Sequence, residues 1–139
     1  MKRLVPLMAA VLLLACEGGR AGSPLLPPPP RLVPAGLWVS DAGVLNSQIR
    51  LTVEPTTSRW RDNAGCEFGR IDAPLVLDDA DRFAANGTVS FDEPGSMAVQ
   101  VVGTVDGSRM TLELTYAGGW RRTYRMTLGG TLVATNAYC

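Results

Sequence analysis

Apolar and polar residues alternate with a period of two along most of the chain after residue 36. Residues 49–53 place Ile49, Leu51 and Val53 on one face, with Arg50 and Thr52 on the other. Residues 83–91 set Phe83, Ala85, Gly87, Val89 and Phe91 against Ala84, Asn86, Thr88 and Ser90. Met110, Leu112, Leu114 and Tyr116 alternate with Thr111, Glu113 and Thr115. In 120–128, Trp120, Tyr124, Met126 and Leu128 share a face that Arg122 alone interrupts. A period of two is that of a strand with one buried face, and no long stretch shows the helical period of 3.6. The alternation predicts strands at 36–40, 47–54, 57–62, 66–72, 82–91, 97–105, 109–116 and 120–128, and a short last strand at 131–137.

Turn residues join these segments. In Val105-Asp106-Gly107-Ser108, Asp106 and Gly107 predict the centre of a two-residue type I′ hairpin, because both tolerate positive φ. That loop sets Val101 opposite Leu112, Val99 opposite Leu114 and Met97 opposite Tyr116, with Gln100 facing Glu113 outside. A slip of one residue breaks every pairing. Ala117-Gly118-Gly119 makes the next turn, and Gly129-Gly130 the one after, which sets Met126 opposite Val133 and Trp120 opposite Cys139. Asp78-Asp79-Ala80-Asp81 reads as a turn of Asp side chains bonding nearby N–H groups, with no Glu at EF-hand spacing. The fold expected is all-β: a small antiparallel barrel of about eight strands, with a β-sandwich as the alternative. Closure favours the barrel because it removes exposed edges.

The first 35 residues follow other rules. Lys2 and Arg3 precede an apolar run from Leu4 to Leu14, far short of the ~20 residues that span a bilayer. Charged start, short apolar run and small residue before the cut make a secretory signal. Leu13-Leu14-Ala15-Cys16 resembles the lipobox of bacterial lipoproteins. The resemblance implies a signal peptide at 1–15, cleavage before Cys16, a diacylglyceryl thioether on Cys16 and acylation, palmitate included, of the new amino terminus. Such chains anchor a membrane stably, which one acyl chain does not. Glu17 stands where Asp retains Gram-negative lipoproteins at the inner membrane, so the outer membrane, periplasmic side, is the expected address. Residues 16–35 form a lipidated Cys and linker, with glycines 18, 19 and 22 first and Pro27 to Pro30 after. A polyproline rod at ~3.1 Å per residue lifts the domain up to roughly 55 Å from the lipid. The domain is then 36–139.

Composition narrows the chemistry. Lys2 and Arg3 are two of the 13 cations, so the exported part carries arginine only, against 13 acids. Its slightly negative balance speaks against a nucleic-acid partner. The chain has no His, which removes the commonest general base and metal ligand. No cofactor and no metal site are expected, and an enzyme would need paired carboxylates such as Glu54, Glu67, Glu93 and Glu113. Arg121, Arg122 and Arg125 read as a solvated basic strip. With Cys16 lipidated, an exported chain keeps Cys66 and Cys139, which predict one disulfide, the alternative being two buried thiols. The chain-entropy model gives such a bridge about 4 kcal/mol.

Gly36-Leu37-Trp38 resembles the Gly-x-Trp of lipocalins, which implies a Trp closing one barrel end with an arginine from a late strand, Arg122 or Arg125, packed on it. Across 36–139 the order of elements is similar to that of an uncharacterised group of small secreted bacterial domains. These elements are Gly36-Leu37-Trp38, Leu51-Thr52-Val53, Cys66 with Gly69 and Ile71, Asp78, Phe83, Gly87, Gly103-Thr104-Val105-Asp106-Gly107, Met110-Thr111-Leu112 and the terminal Cys139. That resemblance implies a disulfide-closed barrel and names no catalytic residue. The expected function is a non-enzymatic binding domain, anchored in the cell envelope and meeting an envelope protein. Membrane-bound inhibitors of c-type lysozyme are similar in plan. The alternative is a lipocalin-like carrier of a small apolar ligand, lined by Leu51, Val53, Phe83, Phe91, Val101, Leu112, Tyr124 and Met126.

Overall fold

The computed structural model describes residues 26–43, 46–91 and 94–135. Eight strands follow one another: β1 (Gly36–Ser40), β2 (Ile49–Val53), β3 (Ser58–Asp62), β4 (Glu67–Ile71), β5 (Arg82–Phe91), β6 (Met97–Asp106), β7 (Arg109–Tyr116) and β8 (Arg121–Leu128). Each pairs antiparallel with the next, and β8 returns to β1, so the sheet closes into an up-and-down barrel. The alternation places its apolar side inward along most strands, with Leu37 of β1 and Phe68 of β4 outward. Trp38, Leu51, Ile71, Val101, Leu112 and Leu114 are fully buried in one core.

Two inward glycines make room for rings. Trp60 stands opposite Gly69, and a Cβ there would lie 1.8 Å from Trp60 Cε2. Phe83 stands opposite Gly103, where a Cβ would lie 2.4 Å from the ring. A ring laid across a cross-strand glycine fills the barrel without widening it.

The turn between β6 and β7 differs from the expected one. Asp106 pairs with Arg109, so Gly107 and Ser108 form the loop, and of the two only Gly107 (φ +58°) takes a positive φ. That is the type II′ pattern, with glycine first, in place of I′. The register moves by two residues. Val101 faces Leu114, Gly103 faces Leu112 and Val99 faces Tyr116, while Gln100 meets Thr115. Because the shift equals the period, every apolar residue stays on the inner face.

The last strand is a second correction. No strand forms within 131–135, and 136–139 lie outside the described residues. Met126 pairs with Ser40 rather than Val133, since β1 takes the edge of β8 and closes the barrel. Leaving β8, Gly129 donates to the Leu37 carbonyl, and Gly130 packs on Val39. That contact explains why Val39, on the outer side of β1, is buried. Gln48 then clasps the segment: its Nε2 donates to the carbonyls of Ser40 (2.7 Å) and Thr131 (3.3 Å), and its Oε1 accepts from Val133 N (2.8 Å).

The folded unit also reaches back before the expected boundary at Gly36. Leu32 bridges Val76, Val33 N donates to the Leu75 carbonyl, and Val33 and Leu75 are buried in the core. These residues cap the rim at which the chain enters the barrel. The Asp78 turn lies beside them. Its Oδ1 accepts from the N–H groups of Ala80 and Arg82, both at 2.9 Å, as an Asp-headed turn does. The backbone N–H of Arg82 is the main reason that the Asp78 carboxyl is held below its ordinary value.

Candidate functional site

At the far rim, β4 begins, β7 ends and β8 begins. This topology brings the buried Glu67 and Tyr116 together with the half-exposed Arg122, and Trp60 reaches up from β3. Glu67 is 1% exposed, and its carboxylate accepts three hydrogen bonds. Trp60 Nε1 (2.9 Å) and Tyr116 Oη (2.6 Å) donate to Oε1, and Arg122 Nη1 (2.9 Å) donates to Oε2. A buried carboxylate needs such partners, because an unpaired charge in a core is strongly unfavourable. Arg122 is therefore the inward cation that answers Glu67. Trp120 stacks on Tyr116 with centroids 3.6 Å apart and planes 1° apart, and the Arg122 guanidinium lies 5.0 Å from the Trp120 ring centroid. Burial first, then the hydrogen bond and charge of Glu67, push the Tyr116 hydroxyl far above its ordinary value. Burial also raises Tyr124.

Two sequence expectations change here. Arg122 is half exposed, as a solvated strip would have it, but its guanidinium is bonded to the buried Glu67, and neither Arg122 nor Arg125 packs on Trp38. Arg122 is committed to Glu67 at the far rim, and Arg125 is exposed on the outer face of β8. Trp38 closes the barrel against Leu51 and Leu128, and its Nε1 donates to the Pro34 carbonyl (3.0 Å). Nor do the candidate glutamates converge. Glu67 is inside, Glu113 lies on β7 with Arg121 3.7 Å away, and Glu54 bonds Thr57 at the entry rim. Glu93 lies outside the described residues. Among the described residues no group of three or more His, Cys, Asp or Glu is placed to hold a metal ion.

The inward apolar set is brought together as expected. Leu51, Val53, Phe83, Val101, Leu112 and Met126 are buried in one cluster, and Phe91 and Tyr124 pack against it. Several hollows lie on the outer faces and rims. One of about 580 Å³ runs over β6 to β8 between Asp106, Arg109 and Arg125. Another, of about 430 Å³, lies over β1 to β4 between Leu37, Arg59 and Phe68.

Of the cysteines, Cys16 and Cys139 lie outside the described residues. Cys66 sits just before β4, where its N–H donates to Asp62 Oδ1 (2.7 Å). A groove of about 360 Å³ is lined on one side by Asp62 to Gly65 and on the other by Leu132 to Thr135.

Glu67 was legible only as a spare carboxylate. The signal that could have found the cluster is Arg122, the one break in an apolar face, which was read as part of a solvated strip. The chain matches no family model, no curated protein and no solved structure.

Proposed function

We propose that this chain is an exported bacterial lipoprotein, anchored through acyl chains on Cys16, whose barrel acts by binding at its outer surface and not by catalysis. One observation carries the binding reading: the inward side chains form one cluster of buried residues. The inward side chains pack on one another, and the buried carboxylate, Glu67, has its oxygens taken by Trp60, Tyr116 and Arg122. A buried carboxylate bonded to three side chains of the barrel itself ties its strands together. Partners are then met on the outer walls, where several hollows lie.

The anchor rests on the lipobox-like Leu13-Leu14-Ala15-Cys16 and on the proline-rich spacer behind it. The outer membrane, periplasmic side, is the proposed address. Cys66 and Cys139 are proposed to form one disulfide. The groove shared by residues 62–65 and 132–135 supports it, since Thr135 already lies along the turn that leads into Cys66.

Metabolic labelling tests the anchor. The precursor chain should incorporate labelled palmitate, the Cys16→Ser variant should not, and globomycin should make unprocessed precursor accumulate. Processing that ignores globomycin removes the anchor from this reading.

A further inference from the structure

The outer wall of β2, β3 and β4 carries arginines where antiparallel strands least tolerate them. Arg50 stands directly opposite Arg61, and Arg59 directly opposite Arg70. Like charges in directly opposed positions destabilise a sheet. Only Arg70 has a carboxylate partner, Asp72. Among the described residues no carboxylate pairs with Arg50, Arg59 or Arg61. Two apolar side chains lie in the same wall. Phe68 faces Arg61, whose guanidinium sits 4.6 Å from the Phe68 ring centroid. Leu37 borders the same hollow, and both Leu37 and Phe68 are 39% exposed. The fold thus keeps two repulsive pairs and two exposed apolar groups on one sheet face, in a chain whose overall charge is zero.

We propose that this wall docks on the anionic phospholipid headgroups of the membrane to which the chain is tethered. The inference rests on the reading of an anchored binding domain and names its partner. Headgroup phosphates would neutralise the opposed arginines, and a planar guanidinium bonds a phosphate through two parallel N–H groups. Leu37 and Phe68 fit the boundary between headgroups and acyl chains, where cations interleaved with apolar side chains bind best. The tether supplies the third element. The folded unit begins at Arg31, so a spacer of residues 17–30, at ~3.1 Å per residue up to roughly 43 Å, keeps the wall within reach of the surface, and weak contacts add to an effectively intramolecular one.

Vesicle co-sedimentation of the mature chain, residues 16–139 with Cys16→Ser, tests the wall without the lipid. All eight strands lie within that chain. It should bind vesicles of phosphatidylcholine mixed with phosphatidylglycerol, ignore pure phosphatidylcholine, and release at high salt, which screens exposed charges. The double variant Arg59→Glu/Arg61→Glu should lose at least about tenfold in binding, given ~1 kcal/mol for each arginine near a charged surface. Arg59→Gln/Arg61→Gln should lose less, and Phe68→Ser should weaken binding at all salt concentrations. Arg109→Glu/Arg125→Glu, the same charge change on the opposite wall, should bind as the parent does. Equal loss in that control overturns the assignment to this wall. Absence of binding to the anionic vesicles overturns the proposal outright. Capture of polyglutamate without vesicle binding transfers the wall to an acidic protein. Vesicle binding by a chain whose precursor ignores globomycin would refute the anchor alone.

Discussion

Tyr116 Oη lies 2.6 Å from Glu67 Oε1, joining the end of β7 to the start of β4 through the middle of the barrel. With Trp60 and Arg122 on the same carboxylate, four strands meet at one buried charge. Removing the acid leaves the buried Trp60 and Tyr116 donors without a partner, and removing the arginine takes one of three donors from a buried anion. Arg122 is half exposed, so Glu67→Ala should cost about 2–4 kcal/mol, below the loss from a fully buried pair. Arg122→Met should be similarly harmful, while Glu67→Ala with Arg122→Met should cost less than the sum of the two. Urea denaturation of the four chains measures the coupling, and simple additivity would refute the linkage.

The same bond sets an alkaline limit. The Tyr116 hydroxyl is raised above its ordinary 10.0 by burial and by Glu67, and Tyr124 is raised by burial. Below that pH both folded and unfolded chains hold the proton, and the contribution is fully present. Above it the unfolded chain releases the proton that the folded chain retains, so stability falls as pH rises. The slope is about 1.4 kcal/mol per pH unit for each such tyrosine. Melting temperature should drop steeply above pH 10, and Tyr116→Phe should flatten that drop while costing about 1.5–3 kcal/mol at neutral pH. An unchanged slope in Tyr116→Phe would place the effect elsewhere.

Gly69 and Gly103 support rings, and alanine at either position meets ring carbon at 1.8 Å and 2.4 Å. Gly69→Ala must displace Trp60 and with it one donor to Glu67, whereas Phe83 carries no such bond. Both variants should lose stability by about 1–3 kcal/mol or more, as overpacking does, with Gly69→Ala the worse. The denaturant midpoints of the two, measured side by side, check the order.

The C-terminal segment is held by Gln48, whose amide serves Ser40, Thr131 and Val133. Gln48→Leu should release residues 131–135 and speed exchange of the Val133 amide. It should cost about 1–3 kcal/mol for the groups left unpaired. With the proposed Cys66–Cys139 bridge, reduction of the parent should lower stability by about 4 kcal/mol on the entropy model. Cys66→Ser should then make stability insensitive to reductant. An intact-mass measurement that finds two free thiols removes the bridge.

Much of the barrel was legible from local pattern. Alternation marks all eight strands to within two residues, because a half-buried strand must place apolar side chains at every second position. The same rule excused the misplaced turn at Gly107. A shift of two residues leaves the inner face unchanged, so alternation cannot distinguish the I′ register from II′. The expected last strand failed because residues 131–135 are apolar enough for a strand, yet β1 already holds the edge of β8.

From sequence alone come the period-two strands, the turns, the lack of histidine, and an arginine at position 122 that interrupts an apolar face. The tertiary structure decided which acid Arg122 meets. Glu67 and Arg122 lie far apart in the chain; strand alternation puts the starts of β4 and β8 on one rim, and closure of β8 on β1 turns them to face each other across it. Tertiary pairing likewise decided that Val33 joins the core beside Leu75, and the register of the β2–β3 hairpin that Arg50 and Arg61 stand opposed. Local pattern reports which face a residue takes, because that depends on its neighbours along one strand. Which residue stands across from it depends on register and closure, which the whole barrel sets at once.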